Sequence, residues 1–166
     1  TDQNFTDRWT EAGNGTISIT GGALRLVGSN VLNGSTNVTQ SCSIDRNFTL
    51  SSDFSHSISA TNECESALQM YEGGNYFAIQ MRGDTGNIEI WNDNSNKGTF
   101  AGYTTSGTLT ITRTGTTLSY KIDDTVVASY TYSGTLTSCG VEVYVSGVGT
   151  STITSDFDNF TLIDGS

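Results

Sequence analysis

Residues 67–91 read ALQMYEGGNYFAIQMRGDTGNIEIW. Apolar and polar side chains alternate through Ala67–Tyr71, Tyr76–Arg82 and Asn87–Trp91. A period of two is the mark of a strand with one buried face. Between these runs stand Glu72-Gly73-Gly74-Asn75 and Gly83-Asp84-Thr85-Gly86. Glycine there supplies the left-handed backbone that a tight hairpin turn requires. The stretch is therefore expected to be a three-stranded antiparallel meander. Leu68, Met70, Phe77, Ile79, Met81, Ile88 and Ile90 face one side of it. Gln69, Tyr71, Tyr76, Gln80, Arg82, Glu89 and Trp91 face the other.

The same pattern extends in both directions. Thr16–Thr20 and Ala23–Val27 flank Gly21-Gly22, and Val38–Ile44 meets the long run Phe48–Ile58 at the turn Asp45-Arg46-Asn47. Beyond the polar segment 92–98, strands are expected at Thr99–Thr104, Thr108–Arg113, Thr117–Ile122, Thr125–Tyr132, Gly140–Ser146 and Thr152–Ile163. About a dozen short strands with turns every 8–12 residues predict a two-sheet sandwich or a barrel. No linker or repeat divides residues 1–166, so a single domain is expected.

Composition agrees. Ser and Thr together number 48 of 166 residues, whereas Lys and Glu together number 8. Such a chain is a poor helix former. Leu, Ile, Val and Phe sum to 36 residues, which lies just above the level at which disorder is expected. Proline is absent, so edge strands must be protected by charge, bulges, glycans or a neighbouring chain.

The net charge is -10, with only 7 Lys and Arg scattered along the chain. Nucleic-acid binding needs a basic stripe, and none is present. An anionic membrane surface would repel the chain, and no apolar run is long enough to span a bilayer. The chain begins at Thr1 without an apolar leader, as a processed or excised region would. Sequons at Asn4, Asn14, Asn33, Asn37 and Asn47 are expected glycosylation sites in an extracellular or cell-surface protein; a sixth, at Asn159, falls in an expected strand.

Cys42, Cys64 and Cys139 form no metal-binding pair, and His56 is the only histidine. His56 shares the parity of Phe54 and Ile58, which makes it a core residue rather than a catalytic one. In the 38–58 hairpin, Cys42 and Cys64 lie too far apart to bridge. Cys64 and Cys139 each stand before an inward-alternating strand and are the expected disulfide. Cys42 is then a small buried hydrophobe, or bonds a neighbouring chain.

The polar face of the meander carries flat aromatics beside planar amides, a guanidinium and a carboxylate. Tyr144 and Glu142 join it, because they alternate with Val141, Val143 and Val145. Sugar rings have apolar faces and hydroxyl rims, so Gln69, Tyr71, Tyr76, Gln80, Arg82, Glu89, Trp91 and Tyr144 are candidate glycan contacts. Asn92 and Asp93, in the bordering polar segment, are added to them. An ordinary sheet exterior also carries such residues.

The segment "TLTITRTGTTLSYKIDDTVVASYTY" (108–132), followed by "GVEVYVSG" (140–147) and "DFDNFTL" (156–162), resembles the concanavalin A-like lectin/glucanase superfamily, particularly its laminin G-like jelly rolls. "FTDRW" (5–9) and "GGALRLVG" (21–28) are similar to the opening strands of that group. The resemblance implies an all-β, two-sheet antiparallel jelly-roll sandwich. It also implies a structural calcium at the sandwich edge, for which Asp156 and Asp158 are the candidates, with Asp2 or Asp7 beside them. Phe157 and Phe160 are three apart, and the bulge this implies would turn Asp158 outward.

Two departures stand out. Asp123-Asp124 replaces the usual Asp-Gly turn, and the Glu-x-Asp-x-x-Glu strand of the superfamily's glucanases is missing. The leading expectation is accordingly a non-catalytic, extracellular carbohydrate-binding module whose partners are glycans or polysaccharide. One alternative is a structural subunit of an extracellular fibre or adhesin that associates with copies of itself. Another is a glycoside hydrolase or lyase, with Glu89 and Glu142 facing each other across a groove.

Overall fold

The computed structural model describes residues 9–29, 34–59, 62–146 and 151–165. Fourteen strands run through them: β1 (Thr10–Gly13), β2 (Thr16–Thr20), β3 (Ala23–Ser29), β4 (Gly34–Ile44), β5 (Phe48–Ser59), β6 (Cys64–Glu72) and β7 (Asn75–Arg82), then β8 (Asn87–Asn92), β9 (Ser95–Phe100), β10 (Ser106–Thr114), β11 (Thr117–Ile122), β12 (Thr125–Thr131), β13 (Leu136–Val145) and β14 (Thr152–Asp164). None of the described residues is helical. All pairings are antiparallel and form two sheets of seven strands, in the orders β1-β4-β13-β6-β7-β8-β9 and β12-β11-β10-β5-β14-β3-β2. The arrangement is the expected sandwich, not a barrel.

Alternation decides what lies between the sheets. Leu68, Met70, Phe77, Ile79, Met81, Ile88 and Ile90 point inward, as do Val141, Val143 and Val145 of β13. Leu26, Phe48, Leu50, Leu109, Ile111 and Leu118 meet them from the opposite sheet. Each fully buried aliphatic side chain contributes roughly 1.5–3 kcal/mol of transfer free energy. The histidine inside is paired. His56 places Nδ1 2.9 Å from Ser66 Oγ and Nε2 2.7 Å from the Tyr103 hydroxyl. Burial lowers its pKa to about 4, so the ring is a neutral core group, as its parity indicated.

Several local expectations change. The polar segment 92–98 is not a loop. Asp93 (φ 55°) and Asn94 (φ 57°) form a two-residue turn with both central residues left-handed, and β9 begins at Ser95. The Asp123-Asp124 turn has the same conformation, with φ of 45° and 64°. The bulge anticipated between Phe157 and Phe160 is present. The register of β14 shifts between Asp158 and Thr161, and Asn159 takes φ 49°.

The Cys64–Cys139 disulfide is corrected. On neighbouring β6 and β13, Cys64 lies opposite Val145 and Cys139 opposite Met70. Six residues separate these positions along the strands, about 20 Å at ~3.3 Å per residue. A disulfide tolerates roughly 7 Å between Cα atoms. All three cysteines are free thiols. Cys42 is half-buried, packs against the core, and its thiol donates to the Leu136 carbonyl at 3.8 Å.

Candidate functional site

The outward face of the sheet carrying β6 is where the chemistry gathers. Strand register sorts this face into rows. One row runs Asn37, Glu142, Ala67, Gln80, Glu89 across β4, β13, β6, β7 and β8. The row on one side holds Tyr144, Glu65 and Arg82. The row on the other holds Gly140, Gln69, Ala78 and Trp91. Beyond it stand the facing pair Tyr71 and Tyr76. Small residues at Ala67, Ala78 and Gly140 therefore sit amid large neighbours and leave a depression.

That depression is a cavity of about 320 Å³ lined by Glu63, Glu65, Tyr71, Tyr76, Gln80, Glu89, Trp91, Glu142 and Tyr144. The Tyr71 and Tyr76 rings are 5.5 Å apart, and Tyr76 meets Trp91 edge-on at 6.1 Å. Every outward residue of β6 from Glu65 to Gln69 is buried, although the face is not covered by another sheet.

Arg82 organises the carboxylates behind the cavity. Its guanidinium lies 2.9 Å from Glu63 and Glu89, 2.8 Å from Asp84 and 3.7 Å from Glu65. Asn96 Nδ2 donates to the second oxygen of Glu89 at 2.9 Å. Gln80 Nε2 donates to Glu65 Oε1 at 2.7 Å and to the Tyr76 hydroxyl at 3.2 Å. The Ser35 and Tyr76 hydroxyls near Glu142 favour its charged form. Burial, with the nearby Glu142 charge second, raises Glu65 to about 8, and burial raises Glu142 as well. Three buried polar atoms on this face have no hydrogen-bond partner among the described residues: Gln80 Oε1, Gln69 Nε2 and Trp91 Nε1.

Of the residues expected from sequence, Tyr71, Tyr76, Gln80, Glu89, Trp91 and Tyr144 line the cavity, while Gln69 and Arg82 lie beneath it. Asn92 does not belong. It shares the inward parity of Ile88 and Ile90, and its Oδ1 accepts the Tyr120 hydroxyl at 3.0 Å. Asp93 is exposed at the β8–β9 turn, away from the cavity lining. Glu63 and Glu65 were missed; the parity of Glu65 with Gln69 and Tyr71 was the available signal. Glu89 and Glu142 line the same cavity from β8 and β13. Three strand spacings separate the two residues, about 14 Å between Cα atoms.

The calcium candidates Asp156 and Asp158 both carry protein partners. Arg25 grips both oxygens of Asp156 at 2.7 Å, and Asp158 Oδ1 accepts the Asn159 backbone N–H. Among the described residues, no three His, Cys, Asp or Glu are grouped to hold an ion. Asp2 and Asp7 lie outside the described residues, as do the sequons at Asn4 and Asn33. Asn14 is exposed after β1, Asn37 is half-buried beside Glu142, and Asn47 Oδ1 accepts the Gly115 N–H.

No protein-family model matches the chain, and no curated protein matches it in sequence. Solved structures do. The carbohydrate-binding module CBM66 from Bacillus subtilis superimposes with TM-score 0.65 at 18% identity, covering 93% of this chain and 94% of that one. The Emp47p carbohydrate recognition domain gives TM-score 0.73 at 13% identity, over 96% and 90%. A Bacillus licheniformis β-glucanase gives 0.63 at 13%, over 96% and 94%. These structures are concanavalin A-like jelly rolls, and the chain has their fold.

Proposed function

We propose that this concanavalin A-like jelly roll is a carbohydrate-binding module, and that the cavity over Ala67 and Ala78 holds the sugar. One observation carries the reading. Aromatic rings and buried, unpartnered polar atoms face the same open cavity. A buried acceptor or donor left without a partner costs about 1–3 kcal/mol, and a sugar hydroxyl supplies the missing partner. The rings of Trp91, Tyr71 and Tyr76 offer apolar surface for the faces of a pyranose or furanose. The volume lies at the small end of ligand pockets, which suits one or two sugar units rather than a long chain. Similarity to a carbohydrate-binding module and a carbohydrate recognition domain supports the same reading. An extracellular setting suits such a module and the acidic, Ser- and Thr-rich composition.

A glycan array probed with the intact chain and with Trp91→Ala tests this. A set of glycans bound by the first and lost by the second supports it. Silence on the array, or binding unaffected by the substitution, contradicts it.

A second reading, glycoside hydrolysis, is favoured by Glu65 alone. Burial raises its pKa to about 8, and it lies diagonal to Glu142 on the adjacent strand, as a general acid beside a second carboxylate would. Release of reducing ends from an array-positive glycan, abolished in Glu65→Gln, would select this reading over simple binding.

A further inference from the structure

We propose that the cavity selects a sugar bearing a protonated amine, a hexosamine with a free ammonium group, and rejects uronic and sialic acids. The inference rests on the carbohydrate-binding reading and adds to it the charge of the ligand.

Start with the acceptors. Glu63, Glu65, Glu89 and Glu142 line the cavity, Asp84 stands behind them, and among the described residues Arg82 is the one cation in contact with this group. The guanidinium is consumed by the carboxylates it already touches. It has no free edge with which to receive an incoming carboxylate, as a site for acidic sugars would need.

The second observation is independent of that charge. Gln80 is 4% exposed, lines the cavity, and its Oε1 accepts nothing among the described residues. Its amide nitrogen is already committed to Glu65 and Tyr76, so the orientation of the oxygen is set by those bonds. Gln80 and Glu142 flank Ala67 in one row, and Glu65 precedes Ala67 by two residues on the same strand face. With Glu65 ionised, three acceptors surround one small residue. An ammonium group has three N–H donors on a single tetrahedral centre, and its charge favours the ionised form of Glu65, so it fits such a trio, whereas a hydroxyl donates once.

The surroundings act in the same direction. A chain of net charge -10 repels polyanions before contact and attracts cations.

Isothermal titration calorimetry on the intact chain decides the matter. The ligands are glucose, galactose and mannose, together with the 2-amino, 2-acetamido and 6-carboxylate form of each. In whichever series binds, the 2-amino sugar is expected to bind at least tenfold tighter than its 2-acetamido and parent forms. The 6-carboxylate is expected to give no heat. The amino preference should shrink severalfold between 20 mM and 300 mM salt, because it is electrostatic. In Glu142→Gln, the ratio of amino to parent affinity should fall at least threefold. Equal or weaker binding of the amino sugar, or measurable binding of the uronate, overturns the inference and leaves the carbohydrate reading standing. Absence of binding in all three series overturns the inference, and together with a silent glycan array it overturns the carbohydrate reading as well.

Discussion

Trp91 and Glu65 carry the site at the scale of single residues. Trp91 projects from β8 with one edge against Tyr76, and its Nε1 has no partner among the described residues, as the proposed sugar contact requires. Ring stacking of this kind contributes about 0.5–1.5 kcal/mol. Trp91→Ala should weaken sugar binding by roughly tenfold while the melting temperature falls by only a few degrees. A large drop in melting temperature with unchanged affinity would show that the ring serves packing. Glu65 predicts a pH effect. Its folded pKa is about 8, against about 4.5 for the ordinary group. Between these values the folded chain keeps a proton that the unfolded chain has lost. Its contribution is fully present below about pH 4.5 and is lost as pH rises through 8. Glu65→Gln removes the titration, so its melting temperature should gain on the wild type from pH 5 to pH 8.5. Parallel profiles would contradict the assignment.

At the scale of strands and turns, backbone geometry makes two sharp predictions. Asp124 sits at φ 64° in the β11–β12 turn, a conformation that favours glycine, and Asp123 rather than Asp124 provides the hydrogen bond to the Thr108 N–H. Asp124→Gly should stabilise the fold by about 0.5–1 kcal/mol, read from chemical unfolding. Gly140 behaves in the opposite way. A Cβ there would lie 1.9 Å from the Val38 carbonyl oxygen on β4. Gly140→Ala must push two paired strands apart beside the cavity floor, and should cost about 1–3 kcal/mol.

Strands of this kind were largely legible in the sequence because alternation reports burial directly. The limits of β2 and β11 matched residue for residue. The hairpin at Asp93-Asn94 was not legible, since two non-glycine residues with positive φ look like a polar loop. The faces of Gln80 and Trp91 followed from parity alone. The pairing of β13 with β6, which brings Glu142 beside Ala67, is a long-range contact that no local pattern encodes. The failed Cys64–Cys139 pairing has the same origin. Both residues were assigned to one sheet end, whereas antiparallel register sends them to opposite ends.

Taken as a whole, the molecule is a sandwich with one apolar interior and a second buried surface that is polar. His56, Ser66 and Ser155 satisfy one another inside the first, by contacts of 2.9 and 2.5 Å. The second is incomplete: the Gln80 Oε1 acceptor and the Gln69 Nε2 and Trp91 Nε1 donors have no partner among the described residues. The account requires that a sugar complete it. The chain contains only two tryptophans, Trp9 and Trp91, so a nitrogen-15 correlation spectrum shows two indole N–H signals. Titration with a glycan that binds should shift the Trp91 indole signal and leave that of Trp9 in place, because Trp9 packs edge-on to Phe160 away from the cavity. A bound glycan that leaves the Trp91 signal unmoved would contradict the placement of the site.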